Sequence, residues 1–197
     1  MDGKRIFLAI DISDAARAAC SSHIDSLRQN FPQVRVGWER SEKLHITLKF
    51  LGPTATDVLK ELETRVVVVA ERHNTFKLQV GRSGSFPEKG KPRVLWIGVD
   101  GATDNLIRLQ TELEQVCRSL GYEPEERSFH PHITIGRVRD HRDAPALAEA
   151  HRAARIEPVE FDVRSVVIYE SKLFPTGSVY SRLFSVSLAA STGVRGG

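Results

Sequence analysis

Cysteine is nearly absent from this chain: two residues in 197, Cys20 and Cys117, both in helix-like segments. That excludes a disulfide framework and a Cys-rich zinc site, and it predicts two free thiols in a reducing cytoplasm. Long hydrophobic runs are missing too. Val66 to Ala70 is far too short to span a bilayer, which needs about 20 apolar residues. The first five residues, Met1-Asp2-Gly3-Lys4-Arg5, lead straight into a strand-like run with no apolar signal-peptide core. Nor is there an excess of one charge: 28 Lys/Arg against 25 Asp/Glu give +3, and the cations are scattered. An anionic substrate is permitted but not demanded. What remains is ordinary globular composition, 41% hydrophobic and 27% charged, at a length that suits one compact domain or two similar lobes.

The pattern of elements alternates. Arg5 to Ile12 reads as a buried strand, and Ser13-Asp14 caps an amphipathic helix that Pro32 ends after about Phe31. Val34 to Trp38 is extended, and Leu44 to Leu51 is a strand closed by Gly52-Pro53. Thr54 or Thr56 caps a helix to about His73; its Val66–Val69 run is β-prone, but the flanks are helical. Phe76 to Val80 is a strand, 81–92 a Gly/Ser/Pro/Lys loop, and Arg93 to Val99 a strong buried strand. Asn105 to about Leu120 is a helix with one leucine-rich face, closed by Gly121. A strand follows from Phe129, then a helix over 144–156, a strand over Phe161–Tyr169, a turn at 175–177 and a last strand over Tyr180–Leu188. The expectation is an α+β, duplicated fold with two sheets. Residues 1–189 form a single two-lobed domain and 190–197 a disordered tail.

Two stretches stand out, Leu44-His45-Ile46-Thr47-Leu48 and Pro131-His132-Ile133-Thr134-Ile135. In a strand, alternate side chains share a face, so His45 with Thr47, and His132 with Thr134, turn away from the aliphatic residues between them. One such strand is usually structural; two in near-identical frames read as halves of one site. Histidine titrates near pH 6.5 unaided, so a pair can hold one neutral and one protonated ring, the need of concerted base and acid catalysis. The two hydroxyls add donors for the oxygens of a phosphate as its charge grows. A zinc site is the chemical rival, but there is no HExxH, no Cys pair and no third ligand at telling spacing, so no metal or cofactor is expected. The Gly81–Phe86 stretch lacks the Lys-Ser/Thr of a phosphate loop and reads as a loop over the cleft. His23, His73, His141 and His151 lie in helical or polar contexts that predict solvated rings.

The strings Leu44-His-Ile-Thr-Leu-Lys-Phe-Leu-Gly52 and Phe129-His-Pro-His-Ile-Thr-Ile-Gly-Arg137 resemble the two-histidine (2H) phosphoesterase superfamily. Within it they are similar to the LigT-like RNA 2',3'-cyclic phosphodiesterases, once named 2'-5' RNA ligases. Phe7-Leu8-Ala9-Ile10, Arg93 to Gly98, and Tyr169 to Leu173 with Gly177 and Tyr180 extend the likeness along the chain. The resemblance implies a bilobal fold with antiparallel-rich sheets facing a central cleft and helices outside. It implies hydrolysis of RNA or nucleotide 2',3'-cyclic phosphates to 2'-phosphomonoesters by a cytoplasmic monomer that needs neither metal nor membrane. By the family's usual assignment His45 is the acid and His132 the base, which sequence alone leaves open. Thr47 and Thr134 would hold phosphate oxygens, with Arg137 neutralising charge. Phe7, His130, Phe129, Arg93 and Tyr180 are possible substrate contacts; Phe129, like Phe86 and Trp38, could stack a base. Gly136 departs from the family's larger residue, which would loosen the strand. The rival readings are a 2'-5' ligase or phosphodiesterase using the same site, and an RNA- or nucleotide-binding module without turnover.

Overall fold

Four helices and nine strands build the described residues, 3–140, 143–175 and 177–190, of a computed structural model. The expected tail beyond Ala190, His141 and Thr176 lie outside these residues. β1 (Lys4–Asp11) is buried from Ile6 to Ile10. Ser13 then caps α1 (Asp14–Asn30), its hydroxyl accepting from Ala16 N at 3.2 Å. β2 (Val36–Trp38) and a single 3₁₀ turn (Ser41–Lys43) lead into β3 (His45–Thr54). In α2 (Thr56–Ala70) the valine run stays helical because Leu59, Leu62, Val66 and Val69 share one buried face, and packing outweighs the β-preference of valine. Neither threonine caps it. Ala55 holds that position, while the Thr54 hydroxyl donates to Gly52 O and accepts from Tyr122.

Two sequence expectations about the strands fail. β4 runs from Phe76 to Phe86, so the expected loop at 81–86 is strand. Gly84 makes this possible: a Cβ there would lie 2.3 Å from the Trp96 ring, so only glycine lets β4 pass beneath it. β5 (Val94–Gly101), α3 (Thr103–Ser119), β6 (His132–Val138) and α4 (Ala144–Ala153) follow. The strand expected at 161–169 is two, β7 (Val159–Val163) and β8 (Ser165–Phe174), parted at Arg164; β9 (Gly177–Ser187) closes the chain.

The break at Arg164 matters because β7 and β8 go to different places. The strand order is β7-β4-β5-β6-β3-β1-β8-β9, with β2 also on β6. The two expected sheets are its halves, and they are joined where β3 meets β6 through Ile46 opposite Ile133. Every pairing between the named strands is antiparallel. The sheet curls until its ends approach: Leu188 N, just past β9, donates to Arg164 O, just past β7, at 2.8 Å. The halves are interwoven rather than consecutive. After α2 the chain crosses to the half that holds β5 and β6, and after β7 it crosses back. Helices α1 and α4 pack behind β7 and β4, while α2 and α3 pack on each other behind β3, β8 and β9. This is the bilobal α+β architecture expected. No helix among the described residues is long and apolar enough to cross a membrane.

His151 and His73, expected to be solvated, are held in hydrogen bonds instead. His73 Nε2 lies 3.0 Å from Glu112 Oε1. His151, 0% exposed on α4, points its Nε2 at the carbonyls of Gly84 and Trp96, 3.1 and 3.0 Å away. Carbonyls only accept, so Nε2 carries the proton, and Nδ1 accepts from His23 Nε2 at 2.8 Å. Burial, with the charges of His23 and Arg152, pushes the His151 pKa down to about 4. A group neutral when folded but titrating near 6.5 when unfolded adds stability that is complete above pH 6.5 and lost as pH falls toward 4. Thermal unfolding from pH 7 to 4 should therefore show a loss on the order of 2–3 kcal/mol that His151→Gln flattens. An unchanged slope in the variant would contradict the assignment.

Candidate active site

The site is built around the β3–β6 pair. One residue to either side of Ile46 and Ile133, His45 falls opposite Thr134 and Thr47 opposite His132. Ile46, Leu48, Ile133 and Ile135 are buried, while the four polar side chains are half-buried on the other face, as the alternation predicts.

Each strand bulges at the same step of its motif. Thr47 pairs with Ala9 and Lys49 with Leu8, leaving Leu48 extra; Thr134 pairs with Trp96 and Gly136 with Leu95, leaving Ile135 extra. A bulge resets which face later residues take. Lys49 is therefore turned to the helix side, where its Nζ donates to Glu114 and to Glu123 O, both at 2.7 Å. Phe50 and Arg137, each five residues after its motif histidine, come to the cleft face. Phe50 is 62% exposed and Arg137 is exposed. Gly136 does not loosen its strand: a Cβ there would meet Val36 and Trp38 at 2.8 and 2.9 Å, so glycine is what lets β2 close on β6.

Both imidazoles are held by the same device. His45 Nδ1–H donates to Lys43 O and His132 Nδ1–H to His130 O, each at 2.6 Å and each two residues back. The acceptor is a carbonyl, so Nδ1 keeps its proton and Nε2 is left for chemistry. His45 Nε2 lies 3.0 Å from the Thr47 hydroxyl. Aromatic rings wall both. Phe7 stacks on His45 with centroids 5.0 Å apart, and Tyr180 meets it edge-on at 5.6 Å. Phe86 meets His132 edge-on at 5.2 Å, with Trp96 at 6.3 Å.

Burial lowers the pKa of both rings. At His45 the Lys43 carbonyl and the Asp11 carboxylate oppose that fall, while Arg17 and His132 add to it. At His132 the His130 carbonyl opposes it, but the charges of His130 and Arg137 both add to it. Asp11, across β1 from His45, is fixed by Tyr169 Oη at 2.7 Å and by an ion pair with Arg182.

Of the expected residues, His45, His132, Thr47, Thr134, Arg137 and Tyr180 come together. Phe7 lies on the cleft side of β1 but is 1% exposed, covered by the rings of His45, Phe50, Tyr169 and Tyr180. His130 is exposed and contributes its carbonyl, and Phe129 is half-buried against the core. Arg93 is exposed, and its backbone N–H donates to Phe86 O while its carbonyl accepts from Val138 N. Asp11, Phe50, Trp96 and Tyr169 were not singled out from sequence as site residues. The equal spacing of Phe50 and Arg137 after the two histidines is the signal that could have found Phe50. Among the described residues no three His, Cys, Asp or Glu side chains gather as metal ligands.

A curled antiparallel sheet with two matched His-x-Thr strands at its centre defines a two-histidine phosphoesterase fold. The chain belongs to the 2'-5' RNA ligase superfamily, whose family model matches residues 13–173. An Aeropyrum pernix protein named RNA 2',3'-cyclic phosphodiesterase is 34% identical over 151 residues, covering 76% of this chain and 85% of that protein. A Thermotoga maritima protein of the same name is 33% identical over 181 residues, 91% and 93% of the two chains. The crystal structure of a Thermus thermophilus protein superposes with a TM-score of 0.77 at 27% identity, covering 95% of this chain and 99% of that one. E. coli LigT complexed with 3'-AMP gives 0.70 at 26% identity, covering 94% and 98%.

Asp11 generates a prediction of its own. Asp11→Asn keeps the shape and removes the charge that holds the His45 pKa up. In an NMR titration of the ring protons, His45 should move to lower pH while His132 stays in place. No movement of His45 would contradict the assignment.

Proposed function

We propose that this protein hydrolyses the 2',3'-cyclic phosphate at the 3' end of RNA to a 2'-phosphomonoester, with two histidines and no metal. The observation that carries the reading is the matched pair of rings, each holding its Nδ1 proton on a backbone carbonyl and leaving Nε2 for chemistry, each opposite the other strand's threonine. In this mechanism His132 Nε2 takes a proton from water as its oxygen attacks phosphorus. The bond from phosphorus to ribose O3' breaks, and His45 Nε2–H protonates the departing oxygen. The charge pattern supports this division: Asp11 favours a proton on His45, whereas Arg137 and His130 disfavour one on His132. Thr47, Thr134 and Arg137 hold the non-bridging oxygens as they gain charge. Phe50, exposed on the cleft face, offers a ring to a nucleobase, and Tyr180 flanks the sugar.

The substrate class follows the name that the two relatives above share, RNA 2',3'-cyclic phosphodiesterase. Both histidines come from one chain, so a monomer suffices. The interwoven halves form a single domain, since the half holding β1, β3, β8 and β9 takes its strands from both ends of the chain. Cys20 and Cys117, buried and unpaired, suit the reducing cytoplasm. With a 5'-hydroxyl in place of water as the nucleophile, and O3' still departing, the same pair would join 2'-5' ends, the activity for which the superfamily is named.

An oligoribonucleotide ending in 2',3'-cyclic phosphate, incubated with the protein in EDTA, should give a 2'-phosphate end. His45→Ala and His132→Ala should each lower the rate by about 10²–10⁴-fold, the usual worth of one acid–base group. Turnover that requires added zinc or manganese would overturn the reading. Tight binding without turnover would leave the binding-module alternative.

A further inference from the structure

The reaction above leaves a groove beside His45 unused. It lies between the 3₁₀ turn (Ser41–Lys43) and the start of β9, with a cavity of about 160 Å³ lined by Arg40, Glu42, Lys43, Ser178 and Tyr180, among others. Lys43 Nζ sits over the Tyr180 ring, 5.7 Å from its centroid, and Tyr180 in turn touches His45. Gly177, at φ +119°, also lines it, and Lys43 Nζ lies 4.0 Å from where a Cβ there would stand. Neither Arg40 nor Lys43 is in an ion pair among the described residues, and one carboxylate, Glu42, faces the two cations. Two free cations and a hydroxyl around a small opening suit a single phosphate.

We propose that this groove binds the internal phosphodiester that joins the terminal nucleoside to the nucleotide before it. The enzyme then takes RNA ends in preference to free mononucleotide cyclic phosphates. The inference rests on the hydrolase reading above, and its argument is the connectivity of ribose. The departing O3' sits on C3', and C3' is bonded to C4', which carries C5' and the preceding phosphate. The O2' side of the ring leads instead to C1' and the base. If His45 protonates O3', the chain leaves the cleft on the His45 side, where Arg40 and Lys43 wait.

A second basic groove, about 360 Å³ and lined by Arg28, Arg35 and Arg139, lies along β2. It adjoins Arg137 across β2, where Gly37 pairs with Arg137. One of its cations is already engaged, Arg28 with Asp25 at 3.4 Å. It is the other basic groove described, and so serves as the control.

The test compares kcat/KM for 2',3'-cyclic AMP and for the dinucleotide ApA ending in a 2',3'-cyclic phosphate. Wild type should prefer the dinucleotide by about tenfold or more, the worth of one charge-assisted phosphate contact. Arg40→Glu, at an exposed position, should remove that preference while the cyclic AMP rate stays within about twofold, which also reports intact folding. Lys43→Ala should lower the same ratio. Equal rates of wild type on both substrates, or a preference that survives Arg40→Glu and disappears in Arg139→Glu, would overturn the assignment of this groove. No turnover of either substrate by wild type would overturn the hydrolase reading itself, and this inference with it.

Discussion

Ile46 and Ile133 pair across the middle of the sheet, and the geometry of the site depends on that antiparallel contact. It makes the two motif strands near-symmetric, so that each histidine faces the threonine of the other strand. It also joins the two half-sheets into one body whose halves exchange strands after α2 and after β7. The interweaving ties the distance between the rings to the whole core. A hinge between consecutive lobes would have left that distance soft, and acid–base catalysis tolerates little error in it.

The near-symmetry is broken where chemistry needs it broken. Both rings use the carbonyl two residues back to fix the proton on Nδ1, and both lose basicity through burial. Their charged neighbours then differ, with the Asp11 carboxylate set against Arg17 at His45, and the charges of His130 and Arg137 acting together at His132. The matched bulges carry the difference outward, bringing an aromatic ring to one rim and a cation to the other. A duplicated frame thus acquires a direction, and a cyclic phosphate, whose two ester oxygens are inequivalent in RNA, needs one.

The motif strands, the helices and the α+β class were legible because each rests on local periodicity and capping, from the alternation in His45–Leu48 to Ser13 on α1. The strand β4 beyond Val80 was not. Its glycines read as a loop, and only the Trp96 ring lying over Gly84 explains them. The break at Arg164 was invisible for a related reason, since both pieces have strand composition and their separation is set by the curl of the sheet. In the site, His45, His132, the threonines and Arg137 could be named from spacing. Asp11, Trp96 and the burial of Phe7 could not, because cross-strand register decides them. His151 misled in the same way: a polar residue in a helical stretch of sequence was the buried clasp on two carbonyls.

The central claim is that two rings divide one proton-transfer task, and the pH dependence of kcat/KM tests it most directly. Wild type should give a bell centred on the acid side of 6.5, the ordinary histidine value, because burial lowers both groups. In the residual activity of the variants, His132→Ala should lack the acidic limb, where a base must lose its proton. His45→Ala should lack the alkaline limb, where an acid must keep one. A profile flat from pH 5 to 9, or a bell that survives the loss of either ring, would contradict the account.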